Sequence, residues 1–340
     1  MINLKKNLIS AKYIKLIQKS GRTHLLEDCQ NISINNKKNL IILKIKYSSI
    51  NYRDYLAFKG NLAVARKYPY VPGVDLVGIV EKSNSSKFFK GDRIAALALP
   101  TGVAFPGAWS TYCQIHSNYI FKLPKNWTYE DIISIGTAGL AAASGISAIL
   151  NNCKTMRNKS FHLLVTGATG GVGTIACLLG KMLGWKVSAV TRNPNKNKHY
   201  FKSIGLENII NAKNFISSPS FNLLSTEYDA AIESVGGEYL SNSVRKLKNN
   251  GVCAIAGLVS SQDMAGLTVL PFLMRGVSLI GTGAEILNNS KKKNAFNLIK
   301  KLIKKQKLKN IITKINFSDI KRHLNNWEKK KIPGRIIIKL

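Results

Sequence analysis

Residues 161–183 read FHLLVTGATGGVGTIACLLGKML, and the fold turns on this stretch. It opens on an apolar run, 161–166, of strand length, and closes on 171–183, where apolar residues recur at helical spacing. Between them lie Gly167, Gly170, Gly171 and Gly173. Glycine lets the backbone turn sharply and approach a phosphate closely. The helix start beyond it offers unpaired N–H groups and the positive end of a dipole. Strand, glycine-rich turn and helix, in that order, are the context that dinucleotide binding requires. The spacing here is G-x-x-G-x-x-G, a slight departure from G-x-G-x-x-G.

Downstream the pattern alternates. Residues 187–190 read as a second strand, 193–204 as a polar helix, and 229–233 and 251–256 as further strands. Strands alternating with helices predict a parallel sheet covered by helices. The end of the second strand selects the nucleotide. A carboxylate about 20 residues past the glycine loop would hold a ribose 2′-hydroxyl. No acidic residue occurs from Thr174 to Leu206; Arg192, Lys196 and Lys198 stand there instead. A guanidinium suits a 2′-phosphate both as charge and as a two-pronged donor. NADP is therefore expected over NAD.

Upstream the character differs. Residues 40–47 are dense in Ile and Leu alternating with Lys, and 71–80 (VPGVDLVGIV) and 93–99 also read as short strands. Pro72-Gly73, Gly91-Asp92 and Pro106-Gly107 punctuate them, which suggests a small β-barrel or sandwich. Residues 334–340 (GRIIIKL) form a last strand-like run, and 291–305 a basic amphipathic helix. Residues 132–150 carry no charge and are long enough for a membrane span, but they are rich in Gly, Ala, Ser and Thr and are expected to form a buried helix.

The chain has 340 residues, more than one core usually serves, so two domains are expected. Its formal net charge is +34. Two readings stand: a cationic surface for phosphorylated ligands or nucleic acid, or a composition biased toward Lys, Asn and Ile throughout. The five cysteines are scattered and odd in number, which argues against a disulfide framework and a cysteine zinc site. A reducing, cytoplasmic setting fits that usage. No secretory signal pattern opens the chain, although no acidic residue precedes Glu27. The five histidines show no metal-binding spacing, and neither G-x-S-x-G nor H-E-x-x-H occurs.

Several motifs in order carry a family resemblance: SSINYRD at 48–54, VPGVD at 71–75, IGTAG at 135–139, the glycine loop, LPFLMR at 270–275 and PGR at 333–335. From about Tyr13 to the end, the chain resembles the medium-chain dehydrogenase/reductase superfamily, in its zinc-free quinone oxidoreductase-like branch and closest to the acryloyl-CoA reductase family. The resemblance implies an α/β protein of two domains: a GroES-like β-rich catalytic domain from residues 1–130 and 306–340, and a Rossmann domain from 131–305. The cleft between them would hold nicotinamide and substrate, and two copies would pair through their Rossmann domains into a homodimer.

Zinc-dependent relatives place Cys where Asn51 stands and His-Glu where Val74-Asp75 stands, so no metal is expected. The resemblance sets Tyr52 against the nicotinamide, with Asn51 and Asp54 nearby as catalytic candidates. It assigns Thr169, Gly170, Gly171 and Val172 to the pyrophosphate, and Thr191, Arg192 and Asn193 to the 2′-phosphate. Leu258 and Ala284 fall near the nicotinamide half. The stretch at 98–107 matches the substrate lobe of acryloyl-CoA reductases in length and differs from it in chemistry.

The implied function is NADPH-dependent reduction of the activated C=C of an α,β-unsaturated acyl-CoA. A quinone or enone reductase on the same cofactor site is the alternative. A basic RNA-binding protein on a dinucleotide fold is the reading from another class. No membrane association is expected.

Overall fold

The computed structural model describes residues 2–3, 8–100, 107–153, 160–217, 221–329 and 332–340. Two compact units emerge, one from Met1–Thr137 with Ile312–Leu340, the other from Ala138–Ile311.

The first unit is built on two sheets. Strands β1 (Ile2–Asn3), β2 (Leu8–Lys19) and β3 (Arg22–Ser33) form an antiparallel sheet. The two-residue loop Ser20-Gly21 joins β2 to β3 with φ of 51° and 72°. Positive φ at both positions matches the right-handed twist of the flanking strands. The sequence reading missed this hairpin, for two reasons. The buried positions of β2 are Ile9 and Ala11, then Ile14 and Leu16, so the alternation slips by one residue in mid-strand. The partner β3 (RTHLLEDCQNIS) is largely polar.

The larger sheet runs β15 (Ile312–Asn316), β16 (Arg335–Lys339), β4 (Leu40–Ile50), β5 (Leu76–Ser83), β6 (Arg93–Ala96) and β8 (Phe121–Lys122), with β7 (Tyr112–His116) also paired to β4. The C-terminal run is thus sheet-bonded to β4, Ile336 opposite Ile50 and Ile338 opposite Ser48. Helix α1 (Tyr52–Phe58) leaves the end of β4 directly, and α10 (Ile320–Asn325) lies between β15 and β16 in sequence.

Residues 71–75, expected as strand, are irregular, and β5 begins only at Leu76. The cause is Gly73, held at φ 101° with no room for a side chain: a Cβ there would sit 2.7 Å from the Trp109 ring and 2.8 Å from two backbone nitrogens. Likewise β6 stops at Ala96 because Ala98 takes φ 51°.

The second unit carries a six-stranded sheet: β9 (His162–Val165), β10 (Lys186–Thr191), β11 (Ile209–Asn211), β12 (Tyr228–Glu233), β13 (Leu247–Ile255) and β14 (Ser278–Gly281). All pairings are parallel and the spatial order is β11-β10-β9-β12-β13-β14. Counted from the first strand of the unit this is 3-2-1-4-5-6, the Rossmann order. The expected GroES-like plus Rossmann architecture is the one observed.

Helices α3 (Gly171–Met182), α4 (Pro194–Ser203), α5 (Ala212–Ile216), α6 (Glu238–Arg245) and α7 (Leu270–Arg275) connect the strands, and α8 (Asn289–Leu302) and α9 (Lys305–Lys309) follow β14. Covered faces explain why these strands read as continuous apolar runs; every residue of β12 is buried. Helix α2 (Tyr129–Asn152) is long and apolar enough to cross a membrane, but 78% of its most apolar window is buried within the protein. Its helical path is broken at Gly136, with φ 52° and ψ −165°.

Gly73 and Gly91 separate two costs. Both have positive φ, but a Cβ at Gly91 meets nothing within 4 Å. Gly91→Ala should cost only the backbone term, about 1–2 kcal/mol, whereas Gly73→Ala should cost about 3 kcal/mol or more. Urea midpoints at constant m-value read the difference, and equal losses would mean that Trp109 yields freely.

Candidate functional site

The predicted catalytic residues gather where β4 passes into α1. Asn51 is the N-cap of α1, and its N–H donates to Asp54 Oδ2 at 2.8 Å, one arm of a capping box. The other carboxylate oxygen of Asp54 accepts the Gly73 N–H at 2.8 Å. Asp54 therefore fastens the irregular 71–75 segment to the start of α1 from a fully buried position. Burial pushes its carboxyl up to about 7, against the pull of those two N–H groups.

The Asn51 side chain is spent on its neighbours. Its Nδ2 donates to Ser49 Oγ and to Asp75 Oδ2, both at 3.0 Å, and its Oδ1 accepts from Arg335 Nη1 at 2.7 Å. Arg335 Nη2 lies 3.2 Å from Asp75 Oδ2, and the two side chains are 2% and 0% exposed. Asp75 also accepts from Ser49 Oγ at 2.8 Å, from the Thr137 hydroxyl at 2.6 Å and N–H at 2.9 Å, and from the Ala98 N–H at 3.2 Å. Burial alone would raise the Asp75 carboxyl. The Arg335 guanidinium and the Thr137 donors outweigh it and hold the group below the usual carboxylate range. Gly136 keeps the place open, since a Cβ there would lie 2.1 Å from Arg335 Nη2 and 2.6 Å from Asp75 Oδ2.

This donor set does not fit a zinc ion. The amide oxygen of Asn51, where the resemblance places a Cys ligand, already binds a guanidinium, and a second cation would face that fixed charge; Val74, where it places a His, has no donor atom. Among the described residues no group of three or more His, Cys, Asp or Glu could hold a metal.

Tyr52 opens α1 and is half-buried, its ring centroid 6.2 Å from that of Tyr55. Thr101–Pro106 of the expected substrate lobe lie outside the described residues.

In the second unit the glycine loop follows β9, with Gly170 as the N-cap of α3. Gly167 takes φ 57°, and a Cβ there would meet Ser234 Oγ at 2.7 Å; one on Gly173 would meet Gly167 O at 2.4 Å. These glycines are demanded by the loop's own packing, which leaves the N–H groups of the first helical turn to an outside acceptor. Ala168 N–H donates to Val190 O at 3.1 Å and ties the loop to the end of β10.

There Thr191 is buried while Arg192 and Asn193 are exposed. Because the strands are parallel, all their C-terminal ends share one edge, so the loop and Arg192 stand side by side. Leu258 follows β13 and is 55% exposed, and Ala284 follows β14 and is buried. Both lie past strand ends on that edge.

Sequence reasoning missed the group that fixes the loop from below. Glu233, buried at the end of β12, accepts from Thr166 Oγ1 at 2.9 Å, Val235 N–H at 2.8 Å and Gly236 N–H at 3.0 Å. Ser234 returns the contact, its N–H donating to Thr166 Oγ1 at 3.0 Å. A lone acid closing an apolar strand was the available signal. It also missed Arg335, although the PGR motif holds it.

Residues 37–125 match the alcohol dehydrogenase GroES-like domain family, and residues 171–312 match the zinc-binding dehydrogenase family. The putative quinone oxidoreductase YhfP of Bacillus subtilis is 30% identical over 304 residues, 89% of this chain and 91% of its own. The B. subtilis yhfP crystal structure, with NAD bound, aligns at a TM-score of 0.86 and 28% identity over 98% of this chain and 100% of that one. Acrylyl-CoA reductase AcuI of Ruegeria pomeroyi is 28% identical over 298 residues, 88% of this chain and 89% of its own. The yhdH oxidoreductase from Salmonella enterica, in complex with NADP, aligns at a TM-score of 0.88 and 25% identity, covering 97% and 99% of the two chains. The chain belongs to the medium-chain dehydrogenase/reductase superfamily of oxidoreductases.

Asp54 gives this site a pH signature. Its carboxyl is raised in the fold, so the folded state holds a proton that the unfolded chain releases near pH 4. Its contribution is complete at low pH and is lost as pH rises toward 7. Asp54→Asn should remove that trend: between about pH 4 and 7 the wild type should lose stability relative to the variant by up to about 1.4 kcal/mol per pH unit. Parallel stability curves from denaturant titrations would reject the raised carboxyl.

Proposed function

We propose that the chain is an NADPH-dependent, zinc-independent reductase of the activated C=C of an α,β-unsaturated acyl-CoA, resembling acryloyl-CoA. The observation that carries the cofactor choice is Arg192. It is exposed directly after a buried Thr191 at the end of β10. An exposed guanidinium beside a dinucleotide loop is suited to a 2′-phosphate. Thr191 and Asn193 flank it as further donors. Gly167, Thr169, Gly170, Gly171, Val172 and Gly173 are assigned to the pyrophosphate, and Leu258 and Ala284 to the nicotinamide half.

Bound there, NADPH supplies the hydride that reduces the β-carbon. Negative charge then develops toward the carbonyl oxygen, and the α-carbon takes up a proton. Tyr52 is assigned the delivery of that proton. Asn51 and Asp54 act by position: their polar atoms are bonded within the fold, and they set where α1, and so Tyr52, begins. With its amide oxygen engaged by Arg335, Asn51 is not free to hold a Lewis acid that would activate an alcohol. That supports C=C reduction over alcohol oxidation. A quinone or enone acceptor on the same site is the second reading, favoured by the YhfP relative. We also propose a homodimer, supported by the open edge of β14 and by exposed Val269, Leu273, Met274 and Ile286 beside it.

Arg192→Glu should weaken NADPH binding about 10- to 100-fold and leave NADH binding nearly unchanged. Fluorescence titration with both nucleotides checks this, and equal weakening would remove the 2′-phosphate assignment. Purified protein should oxidise NADPH with acryloyl-CoA, followed at the nicotinamide absorbance. Turnover of small quinones alone would transfer the assignment to the second reading.

A further inference from the structure

Helix α1 carries Tyr52 and Tyr55 three residues apart, which sets both on one helical face. Their rings are tilted by 34° at a centroid separation of 6.2 Å. Tyr55 is buried and donates its hydroxyl hydrogen bond to Glu328 Oε1. Trp327 stacks on the Tyr55 ring at 5.3 Å with planes 14° apart, which fixes the ring beside its hydrogen bond. Glu328 itself is exposed to solvent, and Tyr52 is half-buried. A surface carboxylate, a buried phenol and a half-buried phenol thus lie next to one another in that order. Burial first, and then the charge of Glu328, pushes the Tyr52 phenol up, so the carboxylate is felt at Tyr52 as well as at Tyr55.

We infer that Glu328 and Tyr55 form the proton entry that recharges Tyr52 in each turnover. The inference rests on the reading that Tyr52 protonates the α-carbon. In that step the Tyr52 O–H bond breaks, a C–H bond forms, and the phenolate oxygen keeps the electron pair. The Tyr55 hydroxyl proton moves to that oxygen, directly or through one water. Glu328, a carboxylate while it accepts from Tyr55, first takes a proton from solvent and passes it to the Tyr55 oxygen as the Tyr55 proton leaves, so that it ends as the carboxylate it began. The electrons of the reduction arrive with the hydride from NADPH, so the relay moves protons only. Glu328 and Tyr55 touch neither substrate nor cofactor; they are positioning residues that act through Tyr52.

The test uses the full-length protein, NADPH and acryloyl-CoA. Tyr55→Phe keeps the ring against Trp327 and removes only the hydroxyl. Glu328→Ala removes the carboxylate from an exposed position. Both should lower kcat by about tenfold or more, with KM for NADPH changed less than about twofold. The solvent deuterium effect on kcat should rise in both. Added formate should restore Glu328→Ala in proportion to its concentration, and should leave Tyr55→Phe slow. Folding is checked by thermal midpoint, and formate rescue of one variant alone cannot arise from misfolding. A kcat within about twofold of wild type in both variants, or a loss that formate leaves untouched, overturns the relay alone. Failure of the wild-type protein to oxidise NADPH with acryloyl-CoA overturns both the relay and the reading beneath it.

Discussion

The buried pair of Asp75 and Arg335 is the constraint on which the first unit depends. Two opposite charges, 2% exposed or less, are tolerated away from water when most of their remaining lone pairs and protons are used. Asp75 meets that condition with donors from Ser49, Asn51, Ala98 and Thr137 besides the guanidinium. Arg335 meets it less fully, since its Nε has no partner. Removing one member of such a pair commonly costs about 3–5 kcal/mol, because the other is left buried and unpaired. The pair therefore dictates its surroundings. It explains why the C-terminal strand must return to β4, why residue 136 is glycine, and why Asn51 is turned inward.

A second carboxylate organises the other unit by different means. Among the described residues Glu233 forms no ion pair; it accepts from two backbone N–H groups and one hydroxyl. Burial raises it, and those donors pull it back. What it stabilises is a shape, namely the sharp turn after β12. Gly236 there takes φ 82° with a would-be Cβ 1.8 Å from Ser261 O. Through Thr166 the same carboxylate holds the strand end from which the glycine loop departs. Each unit thus has a buried acid next to its candidate site, Asp75 in the first and Glu233 in the second, that acts by holding backbone and side chains in place.

The two units differed in how much of them could be read from sequence. The Rossmann half is local: each strand is followed within about a dozen residues by the helix that covers it, so period and glycine placement carry the topology. Residues 171–183 and 193–204 were read as helices and fold as α3 and α4 to within two residues at each end. The β-rich half is made of distant pairings. Asn51 and Arg335 are 284 positions apart, and Tyr55 and Glu328 are 273 apart. No periodicity encodes such a contact. Tyr52, Asn51 and Asp54 were found because one motif contains all three, but Arg335 in PGR and Glu328 in a lysine-rich run gave no sign of their partners. Strand β3 failed for a related reason, because its polar sequence is made a strand by β2 and not by its own pattern.

The charge of +34 might be thought to empty Arg192 of meaning, since a basic residue is expected almost anywhere in this chain. Other cations argue otherwise. Cations such as Lys246 and Lys248 are drawn into pairs with Glu227 and Asp229. Lys15 is likewise held by Asp28. With only 17 acidic residues in the chain, most lysines stay solvated, and a lysine on a flexible stem holds no fixed position. Arg192 differs in being one residue past a buried strand end that is hydrogen-bonded to the glycine loop. Its backbone is therefore as fixed as the loop itself. Composition explains why a cation stands there; the geometry of β10 explains why its backbone is held beside the glycine loop.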